Sequence, residues 1–356
     1  MRHDTLTPAT AGGHGGTGLA AAAQPPSRPP AIRELLSRGY WAVQRRRGFI
    51  QRSVWEASPL APWGDSRYEA RRSLHAGHLP RLSTEHRGVL ADLRAVGVAI
   101  RTLDLPPAVL DSALSFIARL RFQRTEAPCA KTTSRELAGD PSLFMWGLSE
   151  ELLDLAECHI GLPPRYLGVE VKREIVNPAE GHSHAAVRRW HLDHEDRRIL
   201  KVVVYLSDVD SASAPFEYID LPTSEAVLSR RGRRRSHRAA RLDAAVRAEV
   251  PVAERRQVTG SRMTAIYVDT GRVLHRVRPP VESERYSVTF AYSSRSPHLT
   301  YSQLRLPDAA LRELRAELSP RQWQALCCRG IGRAHRPTSD VGVARLPLLP
   351  GDVPVT

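Results

Sequence analysis

Along this chain, polar and apolar positions change period twice. From residue 106 to 122, "PPAVLDSALSFIARLRF" repeats apolar residues at helical spacing, with Val109, Leu110, Leu114, Ile117 and Leu120 on one face. "SEELLDLAECHIG", 149–161, reads as a second helix: Ser149 is placed to cap it, Glu150 and Glu151 suit its positive end, and Gly161 can close it. Shorter helical patterns such as "AIRELLSRGYWAVQRRRGFIQ" occupy 31–100, and 307–328 reads as two helices. There "SPRQ", 319–322, offers Ser319 and Gln322 as a capping box.

Between these flanks the period drops to two. "YLGVEVKREIV" (166–176), "LKVVVYLSDV" (200–209), "RMTAIYVDT" (262–270) and "RYSVTFAYSS" (285–294) alternate as strands, with shorter candidates at 215–219 and 273–278. Strands joined mostly by loops predict an antiparallel sandwich or barrel, not a doubly wound sheet.

Composition adjusts this outline at the ends and in one insertion. Residues 1–30 are rich in Gly, Ala, Pro and Thr and are expected to be disordered. Residues 228–256, "LSRRGRRRSHRAARLDAAVRAEVPVAERR", form a very basic, partly helical insertion between strands, read as a solvated excursion, with a lid or a site for an acidic group as the alternative. The net charge of +14 raises nucleic acid as a partner, but only three of the 52 basic residues are lysine, namely Lys131, Lys172 and Lys201. Arginine dominates everywhere, which reads as codon bias rather than a phosphate-binding surface, so nucleic acid is not the expected partner. No apolar run approaches the about 18 residues that span a bilayer, and the amino-terminal stretch lacks the apolar core of a signal peptide, so a cytoplasmic location without membrane contact is expected. The four cysteines, Cys129, Cys158, Cys327 and Cys328, show neither a disulfide framework nor zinc spacing.

The chemistry gathers in "WHLDHEDRR", 190–198, just before the strand at 200. Two histidines, two aspartates and a glutamate at a strand mouth cost burial energy unless something uses them. In extended chain His191 and Asp193 project to one face, with Leu192 and His194 opposite. An imidazole and a carboxylate side by side are two ligands for a divalent metal. A further histidine, His275 in "DTGRVLHRVRPP", would complete a set of two histidines and one carboxylate that leaves positions open on non-haem Fe(II). Ten residues on, Arg285 in "ESERYSVTF" offers a planar fork suited to a carboxylate.

This order of motifs resembles the phytanoyl-CoA dioxygenase-like branch of the Fe(II)/2-oxoglutarate-dependent oxygenases. The resemblance runs from about residue 140 to 298 and rests on "FMWGLSEELLDLAECHIGLP", "RRWHLDHEDRRILKVVVYLSDVD", "APFEYI", "YVDTGRVLH" and "ERYSVTFAYSSRSP". It implies an α+β fold with a double-stranded β-helix, the cupin-like jelly roll, flanked by helices. Residues 31–356 would then be a single oxygenase domain with its jelly-roll core at about 165–298. It implies His191, Asp193 and His275 as iron ligands and Arg285 as the residue that binds the distal carboxylate of 2-oxoglutarate. Ser287 would be a second contact, and Tyr205 and Lys201 further cosubstrate contacts. Fe(II), 2-oxoglutarate and O2 are the implied cofactor and cosubstrates. The implied reaction is hydroxylation of an unactivated carbon of a small molecule, an acyl thioester or a secondary metabolite, with release of succinate and CO2. Asp193 stands where related halogenases carry a small residue, which favours hydroxylation. Relatives often read Gly-Pro-Phe where this chain has Ala214, Pro215 and Phe216.

Two other readings stay open: a jelly-roll binding protein that uses the basic insertion, and a cupin-like metalloenzyme that does not use 2-oxoglutarate. His194 and Glu195 are expected off the metal face, as supporting or surface groups, and Trp190 as core or pocket wall. His182 and His184 form a competing HxH pair in a loop. His159 reads as an ordinary, partly buried histidine, and Cys327 and Cys328 as packing residues. Substrate identity and oligomeric state are not legible.

Overall fold

Alternation of side chains on extended chain is turned by this protein into two antiparallel sheets. A computed structural model of the chain describes residues 61–123, 125, 127–176, 186–231, 239–297 and 306–326. The amino-terminal tail, the helical patterns up to residue 60, His182, His184, the arginine run 232–238, Cys327 and Cys328 lie outside the described residues. The strands are β1 (Val98–Thr102), β2 (Cys129–Lys131), β3 (Pro164–Glu174), β4 (Leu200–Tyr205), β5 (Phe216–Tyr218), β6 (Arg256–Val258), β7 (Thr264–Asp269), β8 (His275–Val277) and β9 (Arg285–Ser294). A six-stranded sheet runs β1-β7-β4-β9-β3-β2, and a three-stranded sheet runs β6-β5-β8. Every pairing in both is antiparallel.

The two faces of the large sheet have separate tasks. One face carries Val169, Val171, Val202, Val204, Tyr267, Val288, Phe290 and Tyr292, all in the largest apolar cluster. The helices Thr84–Ala95, Pro107–Phe122 and Glu150–Ile160, and the carboxy-terminal helix Pro320–Leu326, contribute to the same cluster. Helices from both flanks thus cover one side of one sheet. The other face carries Val98, Val203, Tyr205, Ile266 and Val268, which pack against Phe216, Tyr218 and Val258 of the small sheet. Burial of these side chains, at roughly 25 cal/mol per Å² of apolar area, holds the two sheets face to face.

The β1, β2 and β6 strands were not anticipated. Each is three to five residues long and lies at a sheet edge, where little alternation accumulates. The long strands and both flanking helices fall within a few residues of the sequence expectation. Ser319 and Gln322 form the expected reciprocal cap, with Ser319 N–H donating to Gln322 Oε1 (2.8 Å) and Gln322 N–H to Ser319 Oγ (3.2 Å). Ser149 differs, because its side chain makes no capping bond, whereas Gly161 does close the helix in a left-handed conformation (φ 76°).

The insertion is more than a solvated excursion. Helices Leu221–Arg231 and Ala239–Glu249 bury Val227, Leu242, Ala245 and Val246 against Trp190, Leu192, Ile219 and Leu274. Asp243 Oδ1 also accepts the Trp190 backbone N–H at 3.1 Å. These helices back the segments that present His191 and His275. No helix among the described residues is long and apolar enough to cross a membrane.

Candidate metal centre

His191, Asp193 and His275 come together: one ligand atom from each lies within 4.8 Å of the others. They form the cluster of metal-ligating type found among the described residues. The way they meet corrects one sequence argument. Residues 190–199 do not form a strand, and only His191 joins a ladder, as an isolated bridge to His275. His191 N–H donates to the His275 carbonyl (3.0 Å) and His275 N–H donates to the His191 carbonyl (3.1 Å). Asp193 is set by a different partner, its N–H donating to the Thr270 carbonyl at 2.9 Å. Long-range backbone pairing therefore places the ligands.

Both imidazoles are oriented alike. His191 Nδ1–H donates to the Arg189 carbonyl (2.7 Å) and His275 Nδ1–H to the Val273 carbonyl (2.9 Å). This fixes the tautomer that leaves Nε2 bare, the arrangement seen when a histidine ligates a metal. His275 Nε2 is 3.8 Å from Asp193 Oδ2. Phe216 stacks on the His275 ring with centroids 5.6 Å apart. Burial, joined by the neighbouring His191, pushes His275 down to about 3, and burial likewise lowers His191. Burial would raise Asp193, but Lys201 and the two imidazoles hold it well below the usual carboxylate range. Two neutral imidazoles and an ionised carboxylate are the protonation states a divalent cation requires. The donor set suits Fe(II), with open coordination positions.

The remaining expected site residues lie on the same inner face. Lys201 Nζ sits 2.6 Å from Asp193 Oδ2. Arg285, 3% exposed at the start of β9, donates from Nη1 to the Ala214 carbonyl and from Nη2 to Glu174 Oε1 at 3.4 Å. Ala214 is one of two non-glycine residues with positive φ (58°) among the described residues, so it occupies a backbone conformation that glycine takes without strain. Its turned carbonyl meets Arg285. Ser287 is two residues on, cross-strand from Lys172 on β3 and from Tyr205 on β4. The Tyr205 hydroxyl is committed elsewhere, donating to the Val258 carbonyl (2.9 Å) and accepting from Phe216 N–H (3.0 Å). Its ring also lies against Arg285, with the guanidinium carbon 5.6 Å from the ring centroid.

Sequence reasoning missed three groups. Glu174 is fully buried and gathers Lys172, Arg188 (2.9 Å) and Arg285. Burial alone would raise it, yet Lys172 and the two guanidinium groups hold it down at about 2. Glu195, expected off the metal face as a supporting or surface group, is 3% exposed, and burial and then Asp193 push it up to about 7. His159 is not an ordinary core histidine: its Nε2 lies 3.2 Å from Asp269 Oδ2, both groups buried. Strand register places Glu174, while tertiary packing of a helix and of a non-strand segment places His159 and Glu195, and no local motif announces any of them.

No family model and no curated protein matches the chain. Solved structures do resemble it. One is the non-heme alpha ketoglutarate dependent epimerase SnoN from nogalamycin biosynthesis, at 16% identity and a TM-score of 0.43 over 60% of this chain and 84% of that one. Another is HygX from Streptomyces hygroscopicus with nickel, 2-oxoglutarate and hygromycin B bound, at 15% identity and 0.43 over 59% and 87%. A third is AviO1 from Streptomyces viridochromogenes, at 16% identity and 0.41 over 62% and 100%. The chemistry of the site rests on its own side chains.

Proposed function

We propose that the chain is an Fe(II)- and 2-oxoglutarate-dependent oxygenase acting on a small molecule, with its paired sheets forming a double-stranded β-helix of the phytanoyl-CoA dioxygenase-like kind. The observation that carries this reading is the convergence of His191, Asp193 and His275, with both Nδ1–H groups tied to backbone carbonyls and both Nε2 atoms free to ligate. Two imidazoles and one carboxylate would hold a divalent iron and leave coordination positions open for cosubstrate and O2. Bound iron supplies the oxidising chemistry, with 2-oxoglutarate consumed to succinate and CO2 and hydroxylation as the outcome.

The chain's own residues bind, orient and shield. His191 and His275 hold their places through the mutual backbone bonds. Lys201 keeps Asp193 ionised and fixes one of its oxygens. Arg285 takes the distal carboxylate of 2-oxoglutarate in the inter-sheet space, with Ser287 beside it on β9. Tyr205 supports Arg285 through its ring. The apolar cluster of Val203, Phe216, Ile266 and Val268 keeps water from the floor of this space.

The test is direct. Purified protein is loaded anaerobically with iron, mixed with 2-oxoglutarate in air, and succinate is measured with and without candidate substrates. One iron per chain and 2-oxoglutarate-dependent succinate are expected. Succinate formation that survives Asp193→Ala would remove the ligand assignment.

A further inference from the structure

Arg285, the first residue of β9, is the cross-strand partner of Glu174, the last residue of β3. Paired residues point to the same side of a sheet, as do residues two and four apart on a strand. Ser287, two residues after Arg285, is opposite Tyr205 on β4, and Lys201 lies four residues before Tyr205. Glu174 and Arg285 therefore stand on the inner face, the one that brings Lys201 to Asp193 of the metal centre. Both are buried. The register thus sets a carboxylate of the chain itself against the guanidinium that the function proposed above gives to the cosubstrate.

The donors of that guanidinium are unequally used. Nη1 donates to the Ala214 carbonyl. Nη2 reaches Glu174 Oε1 only at 3.4 Å, and the buried Nε makes no hydrogen bond. A carboxylate that binds arginine well takes two parallel N–H bonds of about 2.7–2.9 Å. The edge formed by Nε and Nη2 is therefore loosely held at one nitrogen and bare at the other, and a buried donor without a partner costs free energy that a ligand oxygen would recover. Glu174, by contrast, has firmer partners than Arg285. Its Oε1 pairs with the Lys172 ammonium, and its Oε2 lies 2.9 Å from Arg188 Nη2. Arg188 is also anchored without Glu174, donating to the Arg278 and Pro128 carbonyls at 3.3 Å each. Glu174 can thus give up Arg285 and remain paired.

We infer that Glu174 is a built-in competitor for the cosubstrate. Its carboxylate holds Arg285 until the distal carboxylate of 2-oxoglutarate takes the Nε–Nη2 edge, and Glu174 then stays with Lys172 and Arg188. Glu174 touches no reacting atom; it acts through Arg285 and sets how tightly 2-oxoglutarate is held. The inference rests on the oxygenase reading, but it is measured by binding, without turnover. A purely structural Glu174, one that only keeps Arg285 in place, makes the opposite prediction, because its loss would then weaken the cosubstrate.

Full-length protein loaded with Fe(II) under anaerobic conditions is titrated calorimetrically with 2-oxoglutarate and, separately, with pyruvate, a 2-oxo acid that lacks the distal carboxylate. Glu174→Gln should tighten 2-oxoglutarate by about fivefold or more, since a competing bond to Arg285 is gone. Pyruvate affinity should stay within about twofold, because that ligand does not reach Arg285. Glu174→Asp keeps the charge beside Lys172 and shortens its reach toward Arg285. It should also tighten 2-oxoglutarate, and it carries the test if Glu174→Gln does not fold. In an Arg285→Ala background the gain from Glu174→Gln should shrink to within about twofold, as the double-mutant cycle requires of an effect that runs through Arg285. Equal or weaker 2-oxoglutarate binding in the folded Glu174 variants, or an equal gain for pyruvate, would overturn the proposal and leave the oxygenase reading standing. Iron-loaded parent protein that binds neither 2-oxo acid would remove the oxygenase reading, and this inference with it.

Discussion

His191 and His275 are backbone partners as well as side-chain neighbours. Each donates its N–H to the other's carbonyl, at 3.0 and 3.1 Å, and their ring centroids lie 4.3 Å apart. The spacing of the two imidazoles is therefore a property of main-chain pairing, and removing a ring leaves the pairing donors and acceptors in place. His191→Ala and His275→Ala should each lose iron binding by at least about a hundredfold, since one of three ligands is gone. The fold should persist, with a melting temperature within several degrees of the parent. Iron content after anaerobic loading and thermal denaturation by circular dichroism check the two halves. Iron retained at parental stoichiometry in either variant would rule out that histidine as a ligand.

Arg285 separates the 2-oxoglutarate reading from that of a metalloenzyme with another cosubstrate. Its guanidinium is 3% exposed and bonded through Nη1 to the Ala214 carbonyl and through Nη2 to Glu174, with its buried Nε making no hydrogen bond. Arg285→Ala should raise the KM for 2-oxoglutarate by about tenfold or more, the worth of a charge-assisted bond. Iron binding should stay within a factor of about two, because Arg285 touches no ligand. Arg285→Lys should fall between, retaining charge without the fork. An unchanged dependence of succinate formation on 2-oxoglutarate would move the cosubstrate tail elsewhere.

How far the sequence reached can be argued from these residues. His191, Asp193, His275 and Arg285 were legible because each sits in a short motif and the motifs follow in order. The strands β3, β4, β7 and β9 were legible because alternation persists for six residues or more. Glu174 was not, since nothing local distinguishes it from any strand glutamate. Only the register Glu174↔Arg285 and the arrival of Arg188 from another segment give it a task. The insertion read as solvated because its arginines dominate the composition. Leu242 and Val246 are single apolar residues in a basic helix, yet they are fully buried against Trp190 and Leu274. Main-chain bonds between distant segments, such as Asp193 to Thr270, leave no trace in composition or period.

Glu174 also predicts an acid limb. Its carboxyl sits at about 2 in the fold, against an ordinary value of 4.5. A group whose pKa is lowered on folding contributes in full above the unfolded value and loses that contribution as the pH falls through the folded one. Its share of stability should therefore be complete above pH 4.5 and disappear between pH 4.5 and about 2. The amount is about 3 kcal/mol at most. Glu174→Gln should be less stable at neutral pH, with Lys172, Arg188 and Arg285 left uncompensated, and should lose less on acidification than the parent. Urea denaturation from pH 7 to the acid limit of folding reads both. Parallel pH profiles for the two proteins would show that Glu174 carries no such share.

Asp269 ties the two ligand-bearing segments to the scaffold. Its Oδ1 accepts the Ile199 N–H (3.2 Å) at the end of the stretch that carries His191 and Asp193. Its carbonyl accepts from Arg272 (3.1 Å) and Val273 (2.9 Å), shaping the turn that delivers His275. The adjacent Thr270 carbonyl holds Asp193. Gly97, in a left-handed conformation (φ 81°), accepts the Asp269 N–H through its carbonyl, and a side chain there would collide with Val273. His159, from the helix Glu150–Ile160, answers the Asp269 carboxylate at 3.2 Å. Burial would raise Asp269, but His159 and then Arg272 keep it lowered. His159→Leu removes the main partner of a buried carboxylate and should both destabilise the fold and weaken iron binding, by about tenfold, as when the partner of a metal ligand is lost. His159→Gln restores a donor to Asp269 and should recover most of the iron affinity. Iron dissociation constants for the two variants, taken at a temperature where both are folded by circular dichroism, decide the matter. If His159→Leu binds iron as tightly as His159→Gln does, the pair stabilises the fold without positioning the metal ligands.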